Sequence, residues 1–331
     1  MKQILIVLII LPFIASAQKN APLIKSLDEL DEARGTITNY WLEMGTDNYG
    51  APIKIPVIYI QGVENGKTLG LTAAIHGDEL NGIGIIHQLL ETIDVSKLSG
   101  NIIAIAGLNA YALQNDQRRF IDDEDLNRNF PGKKNGHNSQ QYAYKITENI
   151  LPYFDFLIDM HTASFGRTNT MYARADMSND TLRSLAEMQH ADIILNSKEA
   201  TAGSGGQTMR ATANQLGIPS ITVEYGNPQV YQEVMINRGN QGIFNTLKWL
   251  KMYNDWQIPR PAQKVTYCKK SYWIYMEEGG FLEVTVELNQ KVRKGEKIAV
   301  VKNAFGEVIN TYLAPEDGIV IGKSTNPSNI S

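Results

Sequence analysis

Between about residues 55 and 254, short apolar runs alternate with stretches of helical periodicity, a pattern that restricts the chain to a sheet with helices packed on it. The runs fall at 57–60, 69–75, 101–106, 156–160, 192–195 and 220–223. Between the second and third, Leu80, Ile83, Ile86, Leu90 and Ile93 recur at three- and four-residue spacing, which predicts an amphipathic helix with one buried face. A long helix is predicted over 235–253, before the segment Gln257-Ile-Pro-Arg-Pro261, whose two prolines end the helical part of the chain. Beyond it the texture changes. Phe281-Leu-Glu-Val-Thr-Val-Glu-Leu288 alternates, turn signals stand at Asn289, Gly295, Gly306 and Gly318, and helical period is absent, so an all-β module is expected.

A chain of 331 residues exceeds what one core usually holds, roughly 250 to 300 residues. The expected division is a signal peptide over 1–17, an α/β catalytic domain over 18–260 and a β module over 263–331. Lys2, the apolar stretch 4–14 and Ala15-Ser16-Ala17 have the order of a secretory signal, too short to span a bilayer and with no cysteine following to take a lipid. Export to the periplasm or beyond is therefore expected, with no stable membrane anchor after cleavage. Cys268 is the lone cysteine, which excludes an internal disulfide and a cysteine metal cluster. With 31 basic and 35 acidic residues there is no electrostatic footprint for nucleic acid, and small solutes are the expected partners.

The chemistry concentrates at the ends of the apolar runs. His76-Gly77-Asp78-Glu79 follows one run, His161 another and Glu224 a third, so all can converge at one sheet edge. Two histidines and a glutamate are a recurring catalytic zinc set that leaves a position open for water, and such an ion activates water and polarises a carbonyl. Glu224 is the carboxylate best placed to take the water's proton and pass it to a leaving nitrogen. The polar stretch 107–138 has little apolar periodicity, and a long polar loop in a compact domain is usually functional. It carries Arg118, Arg119 and Asp125-Leu-Asn-Arg-Asn-Phe-Pro-Gly132. Asn127 and Arg128 would anchor a substrate carboxylate, and either Arg118 or Arg119 would face the reacting carbonyl.

These segments resemble the succinylglutamate desuccinylase and aspartoacylase family, related in fold to the zinc carboxypeptidases, over roughly residues 50 to 325. The resemblance implies a carboxypeptidase-like mixed sheet flanked by helices, followed by a small barrel-sandwich, lipoyl-like β module. It implies Zn2+ on His76, Glu79 and His161, Glu224 as catalytic glutamate, and Asn127 with Arg128 on a carboxylate. Asn109-Ala110 stands where members often carry Asn-Pro, and Asp122, Asp123 and Glu124 make the preceding loop acidic, so substrate preference does not transfer. Val292-Arg-Lys-Gly-Glu296 and Ala314-Pro-Glu-Asp-Gly318 look like turns of the sandwich, without a lysine that marks a carrier. Similar modules run one strand further, so either an earlier strand completes this one or the sequence continues past Ser331.

The expected activity is an exported deacylase that hydrolyses the amide of an N-acyl amino acid or a related small amide. A metallocarboxypeptidase acting on peptides such as those of cell walls, and a catalytically silent binding protein, are the rivals. His87, His190 and His137 read as packing or surface residues, the first two within helices. Gly203-Ser-Gly-Gly206 lacks the spacing of a nucleophile elbow, and Gly82-Ile-Gly84 lacks the third glycine of a dinucleotide fingerprint. Tyr225 and Tyr231 either close over substrate or pack.

Overall fold

The structure is a computed structural model that describes residues 21–197, 207–261 and 264–329. The signal-like segment 1–17 and the 203–206 glycine stretch lie outside the described residues. Strands β1 (Leu23–Ile24), β2 (Ile37–Thr46), β3 (Pro52–Gln61) and β4 (Glu64–Ala73) lead into helix α1 (Asn81–Thr92), then β5 (Ser99–Ala106). Helices α2 (Ala110–Gln114) and α3 (Asn138–Asn149) precede β6 (Phe156–His161), β7 (Arg167–Asn169) and β8 (Met171–Ala175). Then come α4 (Asp180–Glu187), β9 (Ile193–Asn196), α5 (Met209–Gln215), β10 (Ser220–Tyr225), α6 (Glu233–Trp249) and β11 (Thr266–Cys268).

The large sheet runs β1-β2-β3-β5-β4-β6-β10-β8-β9-β11. Its centre, β5-β4-β6-β10, is parallel, while β3 and β8 join it antiparallel, so the sheet is mixed and flanked by helices. Every run named from the sequence became a strand, and the predicted helices became α1 and α6. The sheet also takes β11 from beyond the proline pair, so its edge and the linker do not coincide.

Alternation along β10 sets the two faces. Ile221, Val223 and Tyr225 are buried in the cluster that α1 and α6 close. Ser220, Thr222 and Glu224 therefore point to the other face, because successive strand residues alternate. On that side α3 contributes Tyr142, Ala143 and Ile146, and α5 Met209 and Ala213, to a second core with β2, β3 and β5. Close packing explains the α1 glycines: a Cβ on Gly82 would lie 2.8 Å from the Cβ atoms of Ala73 and Met160, which is helix-on-sheet contact.

The C-terminal segment adds small sheets. Strands β12 (Gly280–Val284), β14 (Lys297–Lys302), β15 (Val308–Leu313) and β18 (Ser328–Asn329) form one in the order β15-β14-β12-β18. Strand β13 (Lys291–Val292) pairs with β16 (Gly318–Ile319), and β17 (Gly322–Ser324) pairs with β7 of the core. Gly318 thus stands in a strand, whereas Asn289, Gly295 and Gly306 are turn residues at positive φ. Among the described residues no helix is long and apolar enough to cross a membrane.

Candidate active site

Parallel strands β4, β6 and β10 deliver their carboxyl ends to one edge, the usual place for a ligand in an open α/β sheet. His76 to Glu79 occupy the turn between β4 and α1, His161 ends β6, and Glu224 sits near the end of β10. The turn passes so close to α2 that a Cβ on Gly77 would stand 2.0 Å from the carbonyl carbon of Ala112. Only glycine fits, which is why two ligand-type side chains can flank it and bend the same way. Cross-strand register pairs Glu224 with His161, so both side chains leave the same face.

One candidate ligand atom from each of His76, Glu79 and His161 lies within 4.8 Å of the others, and all three residues are buried. His76 Nδ1 is 2.8 Å from Glu79 Oε1, and His161 Nδ1 is 2.8 Å from Glu79 Oε2. On the far side of each ring Nε2 meets a carboxylate, Asp125 at 3.0 Å for His76 and Asp159 at 2.8 Å for His161. Thr72 Oγ1 donates to the other oxygen of Asp159 at 2.9 Å and fixes it. An imidazole that donates its Nε2–H outward presents a lone pair at Nδ1. A neutral imidazole in that state turns its lone pair toward Glu79, where a cation would be held between the two, while a protonated one donates Nδ1–H to the carboxylate instead. Carboxylate-backed histidines are the usual outer support of a metal site, and three carboxylates against one guanidinium leave the negative surplus a dication would neutralise.

The electrostatics agree. Burial opposes charging of His161 and His76, but Asp159 and Glu79 for the first, and Glu79 with Asp125 for the second, hold both imidazoles above their ordinary pKa. Burial likewise opposes the Glu79 carboxylate, yet the two imidazoles outweigh it and hold the group below the usual range. The potential at this point strongly favours positive charge.

Arg118 enters the cluster. Its Nη1 donates to Ser164 Oγ at 2.6 Å and to Glu79 Oε1 at 3.0 Å, while Nη2 donates to Asp125 at 2.7 Å. Arg119, by contrast, points to solvent, where it meets Asp123. The structure therefore separates two neighbours that the sequence left equal. Asn127 is buried with Oδ1 accepting from the Met209 N–H at 2.8 Å, and its Nδ2 faces His161 at 3.5 Å. Arg128 is exposed, with Nη1 donating to the carbonyl of Asn127.

Glu224 is partly buried, and Asn169 Nδ2 donates to its Oε2 at 3.2 Å. Burial is the main cause that raises its pKa, with the Glu79 carboxylate adding to it against the nearby cations. Such a carboxyl takes up a proton more readily than an exposed one. Tyr172 is its cross-strand neighbour, and Arg174 Nη2 donates to the Tyr172 hydroxyl at 2.9 Å.

Sequence reasoning missed Asp159, Asp125 and Asn169 as site residues. Asp159 had a signal, because an aspartate inside a run destined for burial must have a partner. Asn169 had none. Tyr225 lies in the core on the opposite face and packs, and Tyr231 is exposed. His87 is an exposed α1 residue and His137 pairs with Asp122 at 2.8 Å at the start of α3. His190 lies past the end of α4 at φ 48°, in a turn rather than in the helix expected.

Residues 65–250 match the model of the succinylglutamate desuccinylase/aspartoacylase catalytic domain. The chain is similar to N-alpha-acetyl-L-2,4-diaminobutyric acid deacetylase of Halomonas elongata, 24% identical over 321 residues that cover 92% of this chain and 91% of that one. Among solved structures it is similar to the product-bound ectoine utilization protein EutE (DoeB) of Ruegeria pomeroyi, with a TM-score of 0.81 at 21% identity, covering 92% of this chain and 94% of that one. It is also similar to a succinylglutamate desuccinylase/aspartoacylase of Rhodobacter sphaeroides, with a TM-score of 0.80 at 24% identity, covering 93% and 96%. The mixed sheet, its histidine and glutamate edge and the match over more than half its length place this chain in the succinylglutamate desuccinylase/aspartoacylase family.

Proposed function

We infer that the protein is a zinc-dependent amidohydrolase that removes the acyl group from an N-acyl amino acid or a related small amide. The observation that carries this is the pair of carboxylate-backed imidazoles facing Glu79, with the partly buried Glu224 on the same face. His76 Nδ1, Glu79 and His161 Nδ1 would hold the ion. When bound, zinc supplies Lewis acidity toward the amide carbonyl and toward water.

The remaining work falls to side chains. Glu224 Oε2 is engaged by Asn169, which leaves Oε1 to take the proton from water and deliver it to the leaving nitrogen. Arg118, whose guanidinium stands beside Glu79, would turn a donor to the carbonyl oxygen as negative charge develops there. Arg128, exposed beside Asn127, is available for the substrate carboxylate, and a free Asn127 Nδ2 hydrogen would assist it. The pairing of β17 with β7 brings the C-terminal segment beside the 162–166 loop, and a preference for small substrates over peptides is part of the proposal. Export rests on the composition of residues 1–17.

A panel of N-acyl amino acids and short peptides, offered to the zinc-loaded chain with a chelated control, tests the reading. Zinc-dependent release from an N-acyl amino acid is expected, and cleavage of peptides alone would replace the deacylase with a carboxypeptidase. Glu224→Gln should keep its zinc and lose at least a thousandfold in kcat, on the order expected for a proton carrier. His76→Ala should not retain zinc.

A further inference from the structure

We propose that β17 of the C-terminal segment positions the reacting carboxylate of Glu224 through Asn169, so that the small sheets set the turnover number of a site to which they contribute no ligand. The proposal rests on the reading of Glu224 as the proton carrier.

Three observations meet on β7. Asn169, buried at the end of this strand, donates from Nδ2 to Glu224 Oε2 at 3.2 Å. That bond leaves one carboxylate oxygen for chemistry and fixes the plane of the group. The antiparallel register then sets Gly322 of β17 opposite Asn169, and a Cβ on Gly322 would stand 2.5 Å from Asn169 Oδ1. The carboxamide therefore lies between a glycine of the C-terminal segment and the glutamate of the core, and an added methyl group would displace it. Finally, β7 is gripped from the C-terminal side along its length. The Thr170 N–H donates to the Ile321 carbonyl at 3.0 Å, and the Thr325 N–H to the Gly166 carbonyl at 2.8 Å. The Arg167 guanidinium lies over the Trp273 ring at 4.7 Å.

An edge strand three residues long has little stability of its own, so the ladder to β17 decides where Asn169 stands. The Asn169 carboxamide faces Glu224 and is one contact through which the C-terminal sheets reach the chemistry, beside Ile319 and Ile321, which pack against the cluster that holds Tyr172.

The test uses the zinc-loaded full chain and the N-acyl amino acid that it hydrolyses best. Asn169→Ala and Gly322→Ala are each expected to lower kcat about tenfold, the loss of one hydrogen bond to a charged group, with KM and bound zinc unchanged. The double variant should be no slower than Asn169→Ala alone, since both act through one contact. Gly318→Ala, where a Cβ meets open space in the same segment, should match the unaltered chain. A crystal structure of Gly322→Ala should lack the hydrogen bond from Asn169 to Glu224, and its persistence overturns the proposal. So does full kcat in Asn169→Ala, or multiplied losses in the double variant. If Gly322→Ala does not fold, Asn169→Ala decides by the same criterion. Unaltered turnover in Glu224→Gln overturns the proton-carrier reading first and this inference with it, a result distinct from an inactive Glu224→Gln beside a fully active Asn169→Ala.

Discussion

If His76, Glu79 and His161 hold zinc as proposed, replacing Asp159 with asparagine should weaken its binding without removing a ligand. Asp159 is fully buried, accepts from Thr72 Oγ1 at 2.9 Å and from His161 Nε2 at 2.8 Å, and keeps His161 in the tautomer that turns Nδ1 toward Glu79. An asparagine oxygen can still accept from Nε2–H, so shape and tautomer persist while the charge is lost. A hydrogen bond to a charged group contributes about 1.5 to 3 kcal/mol and a neutral one about 1 kcal/mol. The difference, about 0.5 to 2 kcal/mol, corresponds to roughly 2- to 30-fold in Kd. Competition between the apo-protein and a chromophoric chelator reads that change directly, and a urea melt of both apo-proteins separates it from a loss of fold. A folded Asp159→Asn protein whose Kd for zinc lies within twofold of the unaltered chain would refute the assignment of this carboxylate as support for the ion. Asp159→Ala should be worse, about 100-fold, because it also leaves the Nε2–H without an acceptor.

Arg118→Ala should lower kcat/KM by about 100-fold or more, whereas Arg119→Ala should stay within twofold, and steady-state kinetics on one substrate distinguishes them. Gly77→Ala forces a Cβ into the Ala112 carbonyl, a backbone contact that cannot rotate away, so denaturant melts should show a loss of about 3 kcal/mol or more. Acid should loosen the attachment of the C-terminal segment at Asp192. Burial opposes that carboxylate, but Arg238, Thr170 and Asn289 outweigh it and hold its pKa below the ordinary value. A depressed folded pKa stabilises fully above the unfolded value of about 3.9 and is lost as pH falls through the folded one. The Tm difference between the unaltered chain and Asp192→Asn should therefore shrink below about pH 4, and a difference independent of pH would refute this.

Much of the site was legible because the parallel strands were legible. A run such as 156–160 followed by a histidine, or 220–223 followed by a glutamate, puts a polar side chain at the carboxyl end of a strand, where a sheet cannot bury it without a partner. Strand β2 was missed although Tyr40, Leu42 and Met44 alternate inward, because polar residues interrupt them. Strand β8 was missed because its five residues include Arg174 and carry no turn signal. The acidic loop at Asp122 found a local role in capping: the carboxylate accepts from the Ser139 N–H and from His137 at the start of α3.

Local composition and period thus determined which residues end the central strands and so which donor atoms can meet at one edge. Tertiary structure alone decided which carboxylate stands behind each imidazole, which of two adjacent arginines turns inward, and how β17 reaches Asn169. These are contacts between residues far apart in the chain, as with His76 and Asp125 or Asn169 and Gly322. They depend on side-chain direction and on the close approach that a glycine permits, and neither leaves a periodic trace in the sequence.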